Sequence, residues 1–381
     1  MNEISVVAGG HRDFMTVRHM VLRGSQEQIG RALAEEARAN AGWRPTETDP
    51  LINRARWTWF ERNWPQHHAR LNGVAAAFGV NPNDDTLRLD DISGLPAGSA
   101  CSAAWCPPPH ATDGRGRIAR NYDFFTLSAP DLMATLGGGQ PMGIGRPMAS
   151  RPYVITTIPD DGLASTVLTM SDLDGCTEGI NESGLAVVLL LGDVASTEPP
   201  SGPPQPQAGL NVTQVPRFLL DTCQNVEQAK QALLGAKQYS EGAPCHYLIA
   251  DASGQAFVWE RGTQDSEHVI EATAGPLCAT NHPLHRHPDV TRLPEDTPES
   301  FHTYERARTL AKETAGPLSG SGLRQALDAV SMPAVPEEPW RTLWRSVFDP
   351  AQRTMNVRFY LGDGQYGSAR HSPEISFGVG V

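Results

Sequence analysis

Residues 101–123, CSAAWCPPPHATDGRGRIARNYD, bring together the side chains of this sequence best suited to chemistry. Cys101, followed by the small hydroxyl residue Ser102, heads a segment with the form of a hairpin, and the second arm ends in Arg120-Asn121-Tyr122-Asp123. Such a hairpin carries a guanidinium and a carboxylate back toward a thiol. A cysteine attacks as thiolate, and its free pKa is about 8.5. If the bond between Ala100 and Cys101 broke, the thiol would lie beside its own α-amine, whose pKa of about 7.7–8.0 suits a general base at neutral pH. One residue would then supply both nucleophile and base. The preceding run Gly94-Leu95-Pro96-Ala97-Gly98-Ser99-Ala100 is rich in chain breakers. It would let the thiol reach the carbonyl upstream and form a thioester that water cleaves. Composition alone favours the plainer alternative, a buried structural thiol.

The elements that must position these groups change character at Cys101. Residues 1–100 read as mostly helical after an extended run from Thr16 to Arg23. Ser25 is a good N-cap for SQEQIGRALAEEARA, and the run LINRARWTWFERNWPQHHARLNGVAAAFGV has helical spacing interrupted by Pro65 and ended at Gly79. A short helix is expected around Asp84 to Ile92. Downstream, ARNYDF, PYVITTIP, ASTVLTM, GLAVVLLLG, HYLIAD, AFVWE and MNVRFYLG read as strands bounded by Gly, Asp, Asn or Pro. Helical runs intervene at PRFLLDTCQNVEQAKQALLGAK and YERARTLAKETAG. Blocks of strands and helices without strict alternation favour antiparallel sheets with helices layered outside. The tract from Ser196 to Gly209 reads as a surface linker, and residues 136–146 as a flexible loop near the site.

The chain of 381 residues carries 31 basic against 43 acidic residues, a net charge of −12. This acidity argues against a nucleic-acid partner. No apolar run approaches the roughly 20 residues of a membrane span. The opening MNEISVVAGGHRDF lacks a basic stretch followed by an apolar core, so no secretion signal is expected and a cytoplasmic location is. Six cysteines without a CxxC pair do not make a disulfide framework, and Asn211-Val212-Thr213 fits a glycosylation acceptor only by chance.

Beyond the cysteine segment, GRIARNYDFF, GINESGLAVVL, HYLIADASGQAFVWE, CATNHP, SFHTYERARTL and LWRSVFDPAQRTMNVRF follow in order. Over roughly residues 16–365 the sequence resembles the acyl-coenzyme A:6-aminopenicillanic acid acyltransferase-like enzymes (peptidase family C45). These are N-terminal nucleophile hydrolases, alongside bile salt hydrolases and acid ceramidase. The resemblance implies an α+β fold, a four-layer αββα sandwich. It also implies a zymogen that cleaves itself between Ala100 and Cys101. Residues 1–100 would be a helical pro-segment retained as an α chain, and 101–381 a β chain, in one domain. By the same resemblance Cys101 is the nucleophile and Asp123 holds its freed α-amine. Arg120 lies near the thiolate, as in the bile salt hydrolase branch, and Asn281 of Thr280-Asn281-His282-Pro283 donates to an oxyanion. Ser102 and Tyr122 are expected beside the substrate. The family's Ser-Arg is replaced by His302-Thr303, and Arg306, a helical turn on, either substitutes or makes a structural salt bridge.

The activity implied is hydrolysis of linear amide bonds, or transfer of acyl groups, through a Cys101 acyl-enzyme. The substrate is a small acyl amide or thioester, with no cofactor and no metal, and a homo-oligomer is left open. Two alternatives stand beside it: a bile-salt or ceramide-type amidase, and a non-catalytic binding protein on the same fold. Leu190-Leu191-Gly192 stands where the bile salt branch has a catalytic asparagine. His282, His285 and His287 read as a solvated loop, because Pro283 and Pro288 forbid a helical metal motif. Asn181-Glu182-Ser183-Gly184 reads as a structural turn, and the other five cysteines as small buried hydrophobes.

Overall fold

The computed structural model describes residues 2–90, 100–170, 175–192, 209–236, 245–261, 266–297, 300–335, 338–365 and 368–380. Among them, two large sheets dominate. The first has the spatial order β1 (Glu3–Gly9), β2 (Thr16–Gly24), β7 (Tyr153–Pro159), β8 (Ser165–Thr169), β9 (Glu178–Asn181), β10 (Ala186–Leu191), β11 (Cys245–Ala250), β12 (Ala256–Arg261) and β13 (Glu267–Glu271). The second runs β14 (Leu277–Ala279), β5 (Cys101–Cys106), β6 (Arg117–Phe125), β15 (Trp340–Asp349), β16 (Thr354–Asp363) and β17 (Ala369–His371), with β18 (Ile375–Gly378) also on β16. A small ribbon joins β3 (Thr46–Glu47) to β4 (Leu87–Arg88). Among the described residues, every pairing between the named strands is antiparallel except β2 on β7.

Strands β10 and β11 lie against β5, so the inner faces of the two sheets meet. Their strands read as continuous apolar runs, AVVLLL in β10 for example, because both faces are covered. Outside the first sheet lie α1 (Gln26–Asn40), α2 (Pro50–Asn63) and α3 (Pro65–Phe78), with α5 (Gln214–Thr222) against β8–β10. Helix α6 (Val226–Gly235) follows α5, and α4 (Ala129–Leu136) lies between β6 and β7 in the chain. Outside the second sheet lie α7 (Thr303–Glu313) and α8 (Gly320–Asp328), packed on β14, β5 and β6. The fold is thus a four-layer αββα sandwich.

Local signals explain the boundaries. Ser25 and Gln28 close a capping box at α1. Pro65 occupies the first turn of α3, and Gly79 ends it in the left-handed conformation at φ 65°. Helices α1 and α3 cross closely through Gly30 and Gly73: a methyl on Gly30 would sit 2.1 Å from the Arg70 carbonyl oxygen, and one on Gly73 2.0 Å from that of Glu27.

Three expectations need correction. Residues 84–90 form a turn and β4 instead of a helix, because Asn81 and Asp84 side chains bond the backbone N–H groups of Asn83 and Thr86 and compete with helical bonding. The extended run expected at Thr16 to Arg23 is β2, but the first hundred residues also add an unread strand, β1, to the large sheet. The histidine loop is not simply solvated. Glu260 accepts from the N–H groups of Leu284 and His285 and contacts the His285 and His246 rings, which draws the loop inward and buries His282. The turn at Asn181 is structural as read: its amide donates to the carbonyls of Leu220 and Cys223, and its oxygen accepts from Ser183 and Leu185. The breaker run 94–99 and the tract 196–208 lie outside the described residues.

Candidate active site

The hairpin of β5 and β6 puts Cys101 opposite Tyr122 and Ala103 opposite Arg120. Side chains alternate along a strand. Cys101, Arg120 and Tyr122 therefore face the apolar space between the sheets, whereas Ser102, Asn121 and Asp123 face α7 and α8. The site straddles the sheet at the start of β5. It is sealed: Ala100, Cys101, Ser102, Arg120, Tyr122 and Asp123 are all fully buried.

On the inner face, Arg120 Nη2 lies 3.5 Å from Cys101 Sγ, and Arg120 Nη1 is ion-paired with Glu178 of β9. Trp344 Nε1 donates to the other Glu178 oxygen at 3.0 Å. The Tyr122 ring stacks on Trp344 at 4.1 Å, carries the Arg120 guanidinium 4.6 Å from its centroid, and its hydroxyl donates to Met170 Sδ at 3.2 Å. Tyr122 thus supports Arg120. Burial raises the Cys101 thiol pKa. Arg120 and backbone hydrogen bonds from Asp123 and Leu191 pull the other way without overcoming it. The thiol is neutral while the chain is continuous.

On the outer face, Arg306 is the hub. Its Nη1 donates to the Cys101 carbonyl oxygen at 2.7 Å and to Ser102 Oγ at 2.9 Å; its Nη2 donates to Asn281 Oδ1 at 2.8 Å and to the Phe301 carbonyl at 3.2 Å. Phe301 and His302 hold left-handed φ values of 52° and 56°, strained for residues with side chains, and this sharp entry to α7 aims Arg306 at the strand end. Asn281 Oδ1 also accepts from the Cys101 backbone nitrogen at 2.7 Å, and Asn281 Nδ2 donates to the Leu191 carbonyl. With two donors on its oxygen, the orientation of this amide is set. In the continuous chain it grips the nitrogen of Cys101, and its NH2 group is engaged elsewhere than at an oxyanion.

Asp123 Oδ1 accepts from Thr342 Oγ1 at 2.5 Å, while Oδ2 is buried without a hydrogen-bond partner, 3.9 Å from Arg306 Nη1. Burial pushes its pKa up to about 6, against the lowering effect of Arg306 and Thr342. The structure therefore gathers Ala100, Cys101, Ser102, Arg120, Tyr122, Asp123, Asn281 and Arg306 around one peptide link.

Sequence reasoning missed Glu178, Thr342 and Trp344. Glu178 opens the short buried strand EGIN, and an acid buried in a sheet must find a cation. Its partner lies 58 positions away. His282 sits near the site, but burial lowers its pKa to about 3, so it is a neutral ring bonded to Thr280 and through it to Thr303. Among the described residues no group of three or more His, Cys, Asp or Glu could hold a metal ion, and no helix is long and apolar enough to cross a membrane.

The family model of acyl-coenzyme A:6-aminopenicillanic acid acyl-transferase matches residues 111–364, and the chain belongs to this family. The match spans Arg120, Asp123, Asn281 and Arg306 and begins downstream of Cys101. No curated protein matches the chain. Among solved structures, a variant of conjugated bile acid hydrolase from Clostridium perfringens is similar at 15% identity and TM-score 0.48, over 71% of this chain and 92% of that one. Penicillin V acylase from Agrobacterium tumefaciens is similar at 15% identity and TM-score 0.45, over 68% and 82%. An N-acylethanolamine-hydrolyzing acid amidase ortholog from Caenorhabditis elegans is similar at 13% identity and TM-score 0.42, over 66% and 93%.

Proposed function

We propose that the chain is a precursor that cuts itself between Ala100 and Cys101 and then acts through Cys101 on the carbonyl of a small acyl amide or thioester. The observation that carries this is the cage around one peptide link: Asn281 holds the Cys101 nitrogen at 2.7 Å, Arg306 the Cys101 carbonyl at 2.7 Å, and Arg120 approaches the sulfur at 3.5 Å. A merely structural cysteine in an apolar sheet interface needs none of these.

In processing, Sγ adds to the Ala100 carbonyl carbon. The C–N bond breaks, the thiol proton passes to the departing nitrogen, and a thioester results. Water then cleaves the thioester, giving an Ala100 carboxylate and a free thiol beside a free amine. The new amine meets Asn281 Oδ1, and the buried Asp123 Oδ2, which lacks a hydrogen-bond partner, is suited to fix it as ammonium. The thiol proton moves to the amine to give this ammonium and a Cys101 thiolate; in turnover the thiolate attacks the substrate carbonyl and the ammonium delivers its proton to the leaving amine. Water or a second amine releases the acyl group.

The pro-segment would stay bound after cleavage. Its β2 is hydrogen-bonded along β7, Trp64 Nε1 donates to Asp221 at 2.9 Å, Arg70 pairs with the same carboxylate, and the buried Arg56–Asp90 pair engages Gln214. Phe301, edge-on to Trp340 at 4.4 Å, and Phe125, stacked on Trp340 at 4.7 Å, supply an apolar wall close to Arg306 that favours an apolar acyl group.

The test is the intact mass of the purified protein beside Cys101→Ala. Fragments matching 1–100 and 101–381 only with the cysteine present are expected. A single uncleaved chain in both would overturn the reading. Release of an aromatic or aliphatic acid from acyl amides, with hydroxylamine trapping the acyl group, then identifies the reaction.

A further inference from the structure

A cavity lies on the opposite face of the first sheet from Cys101. It opens between the C-terminal half of α1 and the paired strands β2 and β7, and encloses about 510 Å³ of space continuous with solvent. Met20, Ile155, Ala37 and Met148 give it an apolar floor. Arg146 and Arg151 line its rim. Arg18 lies 5.9 Å over the ring of Tyr153, which also lines the cavity. Glu36, the carboxylate lining the cavity, accepts from the Tyr153 hydroxyl at 2.8 Å.

The charge is unbalanced. Among the described residues none of Arg18, Arg146 and Arg151 has a carboxylate within ion-pair distance, although many other arginines of this acidic chain do. Arg18 Nη1 is buried without a hydrogen-bond partner, a costly state for a cationic donor. Burial lowers the Arg151 pKa, and the charges of Arg146 and Arg18 lower it further. Two lining guanidiniums, Arg146 and Arg151, over an apolar floor, with Arg18 beside the lining Tyr153, recognise an anionic head with an apolar tail, and guanidinium forks suit the planar or tetrahedral oxygens of such a head.

We infer that this cavity is a binding site for a small amphipathic anion, a carboxylate or phosphate monoester bearing a short alkyl chain, separate from the site at Cys101. The test is titration calorimetry on the Cys101→Ala chain with octanoate, octyl phosphate, octanol and inorganic phosphate. Octanoate or octyl phosphate is expected to bind roughly tenfold or more tighter than octanol, which lacks the charge-assisted hydrogen bonds of the head, and than inorganic phosphate, which lacks the buried alkyl chain. The stronger of the two ligands identifies the head group. The R146A/R151A double variant should weaken binding by a similar factor with an unchanged melting temperature, and rising salt should weaken it in the unaltered cavity. Octanol binding as well as octanoate, no binding by either anion, or an unaffected double variant with salt-independent binding would each overturn the inference.

Discussion

Asp123 gives the sharpest quantitative test of the precursor. Its carboxyl is buried among side chains, with one oxygen on Thr342 and the other without a hydrogen bond, and its pKa rises from an ordinary 3.8 to about 6. A raised folded-state value means that the native chain binds the proton more tightly than the unfolded chain. Stability is then fully present below about pH 4 and falls as pH rises through 6. At about 1.4 kcal/mol for each pKa unit, the loss is roughly 3 kcal/mol. The experiment compares urea unfolding of Cys101→Ala with Cys101→Ala/Asp123→Asn, so that neither chain can be cut. The Asp123 chain should lose about 3 kcal/mol relative to the Asn chain between pH 4 and pH 7, with the midpoint moving and the slope unchanged. Parallel pH profiles would refute the argument, since they would mean that Asp123 is solvated or already paired with a cation.

Four further outcomes follow from the same geometry. Arg120→Met leaves Glu178 charged and unpaired in the sheet interface and should cost about 3–5 kcal/mol; adding Glu178→Leu should restore most of it, read by denaturant unfolding. Arg306→Lys keeps the charge but cannot span Cys101, Ser102, Asn281 and Phe301 together, so self-cleavage should slow by about a hundredfold while the uncleaved chain stays folded, followed by mass against time. Gly30→Ala forces a methyl against the Arg70 carbonyl, which is backbone and cannot yield cheaply, and should destabilise the chain by about 1–3 kcal/mol by thermal unfolding. After cleavage the two pieces should co-migrate on gel filtration and separate only in denaturant; dissociation in buffer would disprove a retained pro-segment.

Much of this fold was legible because its signals are local. The strands AVVLLL and HYLIA are apolar on both faces, Ser25 and Gln28 form a capping box three residues apart, and Gly79 stops a helix where a left-handed residue is needed. The hairpin that joins Cys101 to Asp123 is likewise a short-range feature. What escaped depends on distant partners. The parallel pairing of β2 with β7 joins segments more than a hundred residues apart, and no periodicity in Thr16–Gly24 announces it. Helix α8 and strand β15 also went unread: the first opens with Gly-Ser-Gly, and the second mixes Arg341, Arg345 and Ser346 with apolar residues because its outer face meets polar groups of the site layer. Arg306 stood out as the arginine one turn beyond the replaced Ser-Arg, with a site role and a structural salt bridge both left open. Its role depends on two strained residues, Phe301 and His302, whose left-handed backbone no composition rule predicts.

The cage also accounts for why one set of groups can serve both proposed steps. Arg120 and Glu178 cancel, leaving Arg306 and Asp123 to set the local charge. In the continuous chain, below pH 6, Asp123 is protonated and the cage carries one net positive charge, which suits the oxyanion that forms as sulfur adds to the Ala100 carbonyl. Cleavage introduces an ammonium beside Asp123. That favours the carboxylate, and the pair adds no net charge, so the cage again holds one positive charge in excess as a thiolate forms at Cys101. The ammonium replaces the desolvated neutral environment that holds the precursor thiol pKa high. Breaking the peptide bond thus lowers the cost of ionising both Asp123 and Cys101 at once. A carboxyl that titrates near pH 6 in the Cys101→Ala chain and well below it in the cleaved protein, read by isotope-edited infrared absorption, is the signature this coupling requires; an unchanged titration would mean that the amine and the acid do not meet.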